Sequence, residues 1–278
     1  MLIIGVCSGQ CRDEAWDSYH KHECGQLDLL HSVGIGHLAV RTLLVAGREQ
    51  LLSIRSAVRA GTYAVSAADP YSAVHQLQHH LDRRPAEEQF QYALTAALLV
   101  TALVKNTSFL SPEREIPGNG GLFDKKSYIL MSGLRGKLRA VQPGQEVPDD
   151  QVHYVGGLLL RHIVQLVSNA HAVTELLEDE AGSVEQARLA TAIYPAASLM
   201  NHSCVPRIVN SFRGKQLTVR ALAGVAAGQE LTNCYGPHYR RHAQADRQTM
   251  LREQYGFRCS CPACTDTSDR HFFSRWAD

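Results

Sequence analysis

Three cysteines lie within six residues near the end of the sequence, in the segment CSCPAC. Cys259, Cys261 and Cys264 cannot all point inward from one short loop, so packing in a hydrophobic core does not explain them. Zn²⁺ binds thiolates at such spacings, and a closed structural site holds it with four ligands in a tetrahedron. The sequence therefore predicts a zinc cluster whose fourth ligand is Cys204 or Cys234, since spacing alone does not choose between them.

A second group of zinc-type ligands lies at the beginning of the chain. Cys7, Cys11, His20 and Cys24 have the residue types of a single Cys₃His site. His22 is an alternative to His20, although the three-residue spacer before Cys24 favours His20. The other interpretation of this segment is a surface helical hairpin whose cysteines are incidental.

The segment LMNHSCVPRIVNSF sets four chemically versatile residues in a row, Asn201, His202, Ser203 and Cys204, between an apolar run and a strand-like run. A free cysteine usually behaves as a small buried hydrophobe, and a histidine beside it is more often a core residue than a ligand. The segment alone therefore does not distinguish packing from function.

The composition excludes two classes of partner. The formal charge is +1, the sequence pI is about 7.7, and no Lys/Arg-rich block is present, so neither nucleic acid nor an anionic membrane is expected to bind directly. The longest strongly apolar run, residues 93–104, is too short to cross a bilayer, and MLIIGV is a poor signal peptide. We therefore expect an intracellular protein, in which the eight cysteines are metal ligands or buried thiols rather than disulfides.

Helical patterns dominate the chain between the two cysteine groups. An apolar stripe runs through GHLAVRTLLVAGREQLLSI, and a second helix begins at Pro85 and has an apolar second half that we expect to be buried. A third helix begins at Asp149 or Asp150 and continues through QVHYVGGLLLRHIVQLVSN. These helices are the elements that must support the cysteine-rich ends.

From about Gly182 the sequence changes to short alternating segments. These segments are RLATAIYP, RIVNSFRG, QLTVRAL and GQELTNCYG, and the turn at residues 213–215 predicts a hairpin between the middle two. The segment HYRRHAQADRQTMLREQYG predicts a polar helix. The predicted fold class is α+β, with helices followed by a small, mostly antiparallel sheet.

In this order and spacing, the motifs NHSC, GQELTNCYG and YGFRCSCPAC resemble those of the SET-and-MYND lysine methyltransferases. The resemblance implies a SET-type fold with small antiparallel β-sheets, a helical N-terminal half and a C-terminal zinc-bound post-SET loop. Its implied organisation is a partial MYND zinc finger at 1–24, a helical region at 25–168, a SET core at 169–258, a post-SET zinc cluster at 259–264 and a tail at 265–278.

The resemblance also implies a ligand set and a cofactor pocket. In this family the Asn-His-Ser-Cys segment threads under a C-terminal loop, and its cysteine completes the post-SET zinc, which would make Cys204 the fourth ligand. Asn201 and His202 would line the S-adenosylmethionine pocket, with Asn169 as a further contact. Phe257 would pack on the adenine, although a role in the core of the zinc loop is its other explanation.

Two tyrosines match the family's lysine channel, Tyr235 as the active-site tyrosine and Tyr255 as a second aromatic wall. Methyl transfer requires a neutral ε-amine in line with the sulfonium methyl group. A narrow aromatic channel removes water from the lysine, which lowers its pKa from about 10.4. On sequence alone ordinary packing explains the tyrosines equally well, so these roles depend on the resemblance.

The function implied by the resemblance is a protein-lysine N-methyltransferase that uses S-adenosylmethionine and Zn²⁺. Its substrate would be a lysine-bearing protein, histone or non-histone, and we expect a monomer in the cytoplasm and nucleus. One alternative is a catalytically inactive, zinc-stabilised protein-interaction module. A redox protein using Cys259 and Cys261 is a weaker alternative, because Cys-x-Cys lacks the usual spacing and βαβ context.

The sequence departs from the family's pattern in three places. A first SET segment with a Gly-x-Gly element would precede Cys7, but the sequence begins only six residues before it. A MYND finger has eight ligands in a cross-brace, and only the last four are present. By that pattern Cys7 and Cys11 would serve one zinc and His20 and Cys24 another.

Arg207 stands where the family has a small amide side chain. We therefore expect a fragment or alternative product of a longer protein, which favours the interaction module for this chain.

Overall fold

The computed structural model of the chain describes residues 8–65, 69–111, 147–178 and 184–265. The chain divides into two compact units. The first comprises Met1–Val65 and His79–Leu166, and the second comprises Ser66–Gln78 and Val167–Asp278. Each unit is therefore assembled from two separate stretches of sequence.

The described elements begin with a series of helices and end with two hairpins and two further helices. In chain order they are α1 (Gly9–Ala15), a π-helical turn (Trp16–His20), α2 (Lys21–Glu23), a 3₁₀ turn (Cys24–Gln26), α3 (Leu27–Ser32), α4 (Ile35–Ala46), α5 (Arg48–Arg59), α6 (Pro70–His75), a 3₁₀ turn (Leu81–Arg83), α7 (Ala86–Asn106), α8 (Asp149–Asn169), β1 (His171–Glu178), β2 (Val184–Ala192), α9 (Pro195–Ser198), β3 (Ile208–Arg213), β4 (Gln216–Ala221), α10 (Gln244–Tyr255) and α11 (Pro262–Thr265).

The apolar stripe predicted in GHLAVRTLLVAGREQLLSI forms two helices, because Gly47 interrupts it. Gly47 has a φ of 81°, a conformation that glycine adopts at no steric cost, and its N–H donates to the carbonyl oxygen of Leu43 at 3.0 Å. The stripe continues on both sides of the break, with Leu43 buried on α4 and Leu51 buried on α5. One apolar pattern therefore supplies two helices of the first unit's core.

The predicted start of α7 is confirmed, whereas the predicted burial of its second half holds for one face only. Pro85 directly precedes the first helical residue, as expected for a residue without an N–H. Leu99 and Leu103 are buried, but Ala97 and Leu98 are exposed. The periodicity of the helix, rather than its overall hydrophobicity, decides which side faces the core.

Helix α8 begins at Asp149, as predicted, and its apolar stripe is buried. Val155, Leu159 and Ile163 each have at most 1% of their surface exposed. His162 lies in the interior rather than at the margin of the stripe, and its Nδ1 lies 2.7 Å from Oε1 of Gln165. A side-chain partner on the next turn therefore allows an imidazole to be buried on this helix.

Helices α4 and α7 approach closely at Gly36. A Cβ atom at this position would lie 3.1 Å from Cδ1 of Leu99 and 3.2 Å from Cγ2 of Thr95, which is tighter than ordinary van der Waals contact. The absence of a side chain at Gly36 therefore permits the packing of the two helices.

The second unit contains two separate two-stranded antiparallel sheets in its described part, β1–β2 and β3–β4. The predicted hairpin is confirmed: β3 pairs with β4 from Ile208–Ala221 to Arg213–Gln216, and Gly214 in the turn has a φ of 55°. Strand β1 was not predicted, because the change in pattern was placed at Gly182. The predicted α+β class is confirmed.

Among the described helices, none combines the length and apolar character that crossing a membrane requires.

Candidate functional site

Two segments that are distant in sequence cross at the centre of the second unit. The N–H of Asn233 donates to the carbonyl oxygen of Asn201 at 2.8 Å, and the N–H of Ser203 donates to the carbonyl oxygen of Asn233 at 2.8 Å. This parallel pairing is limited to an isolated bridge between His202 and Asn233. The segment GQELTNCYG, predicted as strand-like, therefore contributes one bridge that fixes the Asn-His-Ser-Cys segment in place.

The crossing brings Cys204 to the three cysteines of CSCPAC. The four Sγ atoms lie within 4.8 Å of one another, with 3.6 Å between Cys204 and Cys264 and 4.0 Å between Cys204 and Cys259. Four sulfurs at the usual Zn–S distance of about 2.3 Å would be separated by roughly 3.8 Å in a tetrahedron. The donor set and its spacing fit Zn²⁺. In the described part of the chain, Cys234 belongs to no such group.

The sulfur atoms are crowded enough to perturb one another's ionisation. The hydrogen bond from the Cys204 thiol lowers the pKa of Cys261 to about 4, although burial opposes this shift. Hydrogen bonding to Cys261, together with burial, raises the pKa of Cys204. Burial also raises the pKa of Cys259 to about 11. A metal ion that takes four thiolates would therefore displace protons from the remaining thiols.

Helix α10 anchors the backbone of the cysteine loop through its glutamines. The Gln248 side chain accepts from the N–H of Cys259 at 3.0 Å and donates to the carbonyl oxygen of Cys259 at 2.8 Å. Gln244 donates to the carbonyl oxygen of Cys264 at 2.6 Å. Sequence analysis missed this role, since nothing in a polar helix marks which of its side chains will bond to a loop.

Aromatic side chains gather beside the four cysteines. Tyr235, Tyr255 and Phe257 pack against a buried cluster that includes Cys204 and Leu251. The ring centroids of Tyr235 and Tyr255 are 4.9 Å apart, and those of Tyr235 and Phe257 are 6.5 Å apart at right angles. Three aromatic residues from two segments thus form one continuous surface.

His202 connects this aromatic surface to the sulfur cluster. Its Nδ1 accepts from the N–H of Tyr235 at 3.1 Å, so the neutral ring carries its proton on Nε2, which lies 3.3 Å from Sγ of Cys204. Its ring lies 6.0 Å from that of Phe257. Burial lowers the pKa of His202 to about 4. The imidazole therefore acts as a fixed, neutral bridge.

Both tyrosine hydroxyls are held by backbone carbonyl groups. The hydroxyl of Tyr235 donates to the carbonyl oxygen of Met200 at 2.8 Å. The hydroxyl of Tyr255 donates to the backbone carbonyl oxygen of Tyr235 at 3.0 Å. Burial raises the pKa of Tyr235 and raises the pKa of Tyr255 to about 12. Both phenols are consequently neutral hydrogen-bond donors near pH 7.

The two asparagines predicted to contact the cofactor occupy different surroundings. Asn201 is exposed and its Nδ2 donates to Oε1 of Glu230 at 2.6 Å. Asn169 lies at the end of α8, where its Nδ2 donates to the carbonyl oxygen of Gln78 at 2.9 Å and its carbonyl oxygen accepts from Ser198. Asn201 thus adjoins His202 at the crossing, and the proposed cofactor role of both residues stays a prediction.

The predicted N-terminal zinc group is only partly described, because Cys7 lies outside the described residues. Cys11 is half-buried on α1, and Cys24 is exposed at the start of a 3₁₀ turn. His20 has a buried Nδ1 that finds no hydrogen-bond partner within the described ranges. The alternative ligand His22 packs its ring against that of Phe109, at 5.6 Å. Among the described residues, Cys11, His20 and Cys24 do not form a group whose ligand atoms lie close enough to share a metal ion, and the finger stays a prediction.

A buried charge network secures the segment that carries these candidate ligands. Glu23 is fully buried and accepts from Nε and Nη2 of Arg41 at 2.9 and 2.6 Å. Nε2 of His37 lies 3.2 Å from the same carboxylate, and the guanidinium of Arg41 lies 4.3 Å from the centre of the Tyr19 ring. Sequence analysis missed this network, since its members are far apart along the chain.

The side chain of Arg207 is exposed, and its N–H donates to the carbonyl oxygen of Thr232 at 3.0 Å. The charge that replaces the family's small amide is therefore solvated and leaves the chain crossing intact.

Comparison with known proteins agrees with this arrangement. The family model described as the SET domain matches residues 78–236, and the chain therefore belongs to the SET domain family. It is similar to proteins named protein-lysine N-methyltransferase SMYD4. It is 30% identical to the one from Homo sapiens, 31% to that from Mus musculus and 29% to that from Danio rerio.

These similarities cover 95% of this chain for the human relative and 93% for the mouse and zebrafish relatives. They cover only 36%, 35% and 38% of the relatives themselves. The chain thus spans little more than a third of the length of the curated relatives it matches.

Proposed function

We propose that this chain contributes the lysine channel and a structural zinc site to a protein-lysine N-methyltransferase that uses S-adenosylmethionine. The observation that carries the proposal is the convergence of Tyr235, Tyr255 and Phe257 on a surface next to the four cysteines. The relatives' names and the SET family membership support the same reaction. The substrate is a protein, and we propose the cytoplasm and nucleus as its location.

The side chains of this chain would prepare the lysine for reaction. An ammonium group that lies against the surface formed by the Tyr235 and Tyr255 rings would lose water, which favours its neutral form. The Tyr235 hydroxyl, fixed by the carbonyl group of Met200, would define the direction in which the amine approaches. S-adenosylmethionine supplies the methyl group when bound. The residues fit such a ligand: Phe257 offers a half-buried ring and Asn201 an exposed amide.

Zinc would act on this chemistry through the position of the loop. Phe257 lies two residues before Cys259, and the backbone of Cys259 is bonded to α10. Fixing Cys259, Cys261 and Cys264 to Cys204 therefore fixes the aromatic ring beside the crossing. The metal would be structural, because all four ligand positions are taken by cysteines.

Calorimetric titration of the zinc-loaded chain with S-adenosylhomocysteine tests cofactor binding. We expect micromolar affinity, lost in Phe257→Ala and retained in Phe90→Ala, which removes an exposed phenylalanine of the other unit. A folded, zinc-loaded chain that fails to bind would refute the proposal and support the zinc-stabilised interaction module instead.

The catalytic role of Tyr235 has a separate test. Tyr235→Phe removes the hydroxyl and keeps the ring, so we expect unchanged S-adenosylhomocysteine affinity and a loss of methyl transfer on the order of a hundredfold. Transfer of labelled methyl to acceptor proteins measures the rate. Equal losses of binding and transfer would show that the hydroxyl is structural.

A further inference from the structure

Arg247, on α10, is buried although the described part of the second unit offers its guanidinium no carboxylate partner. Its exposed fraction is 4%, and no ion pair between described residues includes it. Burying an uncompensated cation is strongly unfavourable, so buried arginines normally face a negative charge. The contacts that Arg247 makes with other described residues therefore show what faces its charge.

The contacts of Arg247 lead directly to the sulfur cluster. Nη1 donates to the carbonyl oxygen of His242 at 2.7 Å, and Nη2 donates to that of Ala263 at 2.7 Å. The same Nη2 lies 3.7 Å from Sγ of Cys264, within reach of an N–H···S hydrogen bond. The guanidinium therefore lies against two backbone carbonyl groups and one sulfur of the cluster.

The charge balance of the metal site explains this position. A Zn²⁺ ion with four thiolates carries a net charge of −2, and that charge would lie in the same buried region as the guanidinium. Groups in the outer shell of a metal site orient its ligands and tune their basicity. A buried cation beside such a centre offsets part of its negative charge.

We propose that Arg247 is a positioning residue of this metal centre, a buried counter-cation that donates to the sulfur of Cys264 and ties its loop to α10. The inference rests on the zinc site of the proposed function, and it adds a residue that is not a ligand. It predicts that metal affinity depends on the charge of this side chain as well as on its hydrogen bonds.

Two substitutions in the 278-residue chain separate charge from hydrogen bonding. Arg247→Gln keeps a hydrogen-bond donor and removes the charge, whereas Arg247→Lys keeps the charge and removes the planar fork. Competition with a chromophoric chelator measures the Zn²⁺ dissociation constant of each variant. We expect about a 10- to 100-fold increase for Arg247→Gln and at most a few-fold increase for Arg247→Lys.

Arg252→Gln is the matched control, because Arg252 lies on the same helix with an exposed side chain. Its zinc affinity should equal that of the wild type. Equal affinity in Arg247→Gln and the wild type would overturn the inference, as would equal losses in Arg247→Gln and Arg247→Lys. Equal losses in the two variants would show that the shape of the side chain matters for packing and that its charge does not matter.

The outcome also distinguishes this inference from the zinc assignment. A wild-type chain that binds zinc but gives no difference between the variants refutes the role of Arg247 alone. Wild-type protein that binds no zinc under the same conditions refutes the zinc site and the inference together. If Arg247→Gln fails to fold even with zinc, the Arg247→Lys variant tests the role of the charge. Folding of Arg247→Lys with a near-wild-type zinc affinity supports that role, and failure of both variants to fold overturns the inference.

Discussion

In the first unit, buried leucines and isoleucines on helices form the core, whereas in the second unit the small buried set includes cysteines. Among described large side chains that are less than 2% exposed, only Leu251 belongs to the second unit. Leu251 packs beside Cys204 and Cys259. A small core gains less from apolar burial, and a bound metal adds stability to such a core directly.

The two units also differ in the groups that face their buried charges. Glu23 in the first unit has both Arg41 and His37 as partners, so its charge is balanced within the unit. Arg247 in the second unit contacts carbonyl oxygens and a sulfur. Among the described residues, the buried carboxylate of the first unit has its counter-charge within the protein, whereas in the second unit we propose that the metal centre supplies the counter-charge of Arg247.

The largest expected effect comes from removing one cysteine of the cluster. Cys261→Ala should abolish zinc binding and the cooperative unfolding of the second unit, while the first unit unfolds as before, since a structural zinc contributes folding energy directly. Metal analysis and a thermal melt measure both. Cys234→Ala, which removes a cysteine outside the cluster, should keep the zinc. Unchanged metal content and melting in Cys261→Ala would refute the site.

The next largest effect concerns the first unit's charge network. Glu23→Gln removes the buried carboxylate and its charge-assisted hydrogen bonds to Arg41, which should lower the free energy of unfolding by about 2 kcal/mol. Urea denaturation measures the change. The exposed Glu49→Gln serves as the control and should have little effect. An unfolding free energy equal to that of the wild type would contradict the stabilising role of this buried network.

A smaller effect tests the packing of the first unit. Gly36→Ala would place a Cβ against Leu99 and Thr95, and we expect it to destabilise the unit by about 1–2 kcal/mol. Gly157→Ala, on α8, meets nothing within 4 Å and should stabilise by about 0.5–1 kcal/mol through helix propensity. Denaturant titration compares the two. If both substitutions raised the free energy of unfolding, close packing at Gly36 would not limit the stability of the unit.

The smallest expected effect is a pH dependence in the second unit. Burial lowers the pKa of His171 below 6.5, and within the described residues its Nδ1 has no hydrogen-bond partner. The unfolded chain thus binds the proton more readily, and this contribution to stability is present above about pH 6.5 and lost as the pH falls below it. His171→Phe should make the fall in melting temperature between pH 7 and 5 less steep, and the half-buried His202 accounts for part of the fall that remains. An unchanged slope would assign the dependence to other groups.

Local features were readable from the sequence because they depend on neighbouring residues. The starts of α7 and α8, the β3–β4 hairpin and the α+β class follow from caps, periodicity and turn residues, and all are confirmed. Strand β1 was missed, since its segment HAVTELLE suits a helix equally well without its partner β2.

The sequence by itself determined three of the four clustered cysteines, because six consecutive residues place them together. Spacing left the choice between Cys204 and Cys234 open, and the chain crossing at Asn233 decided it by bringing Cys204 to the cluster. The partners of Glu23 and Arg247 were likewise invisible in the sequence. Only tertiary structure decides which distant groups share a buried, low-dielectric environment, and that environment makes a sulfur, a carboxylate or a guanidinium depend on its neighbours.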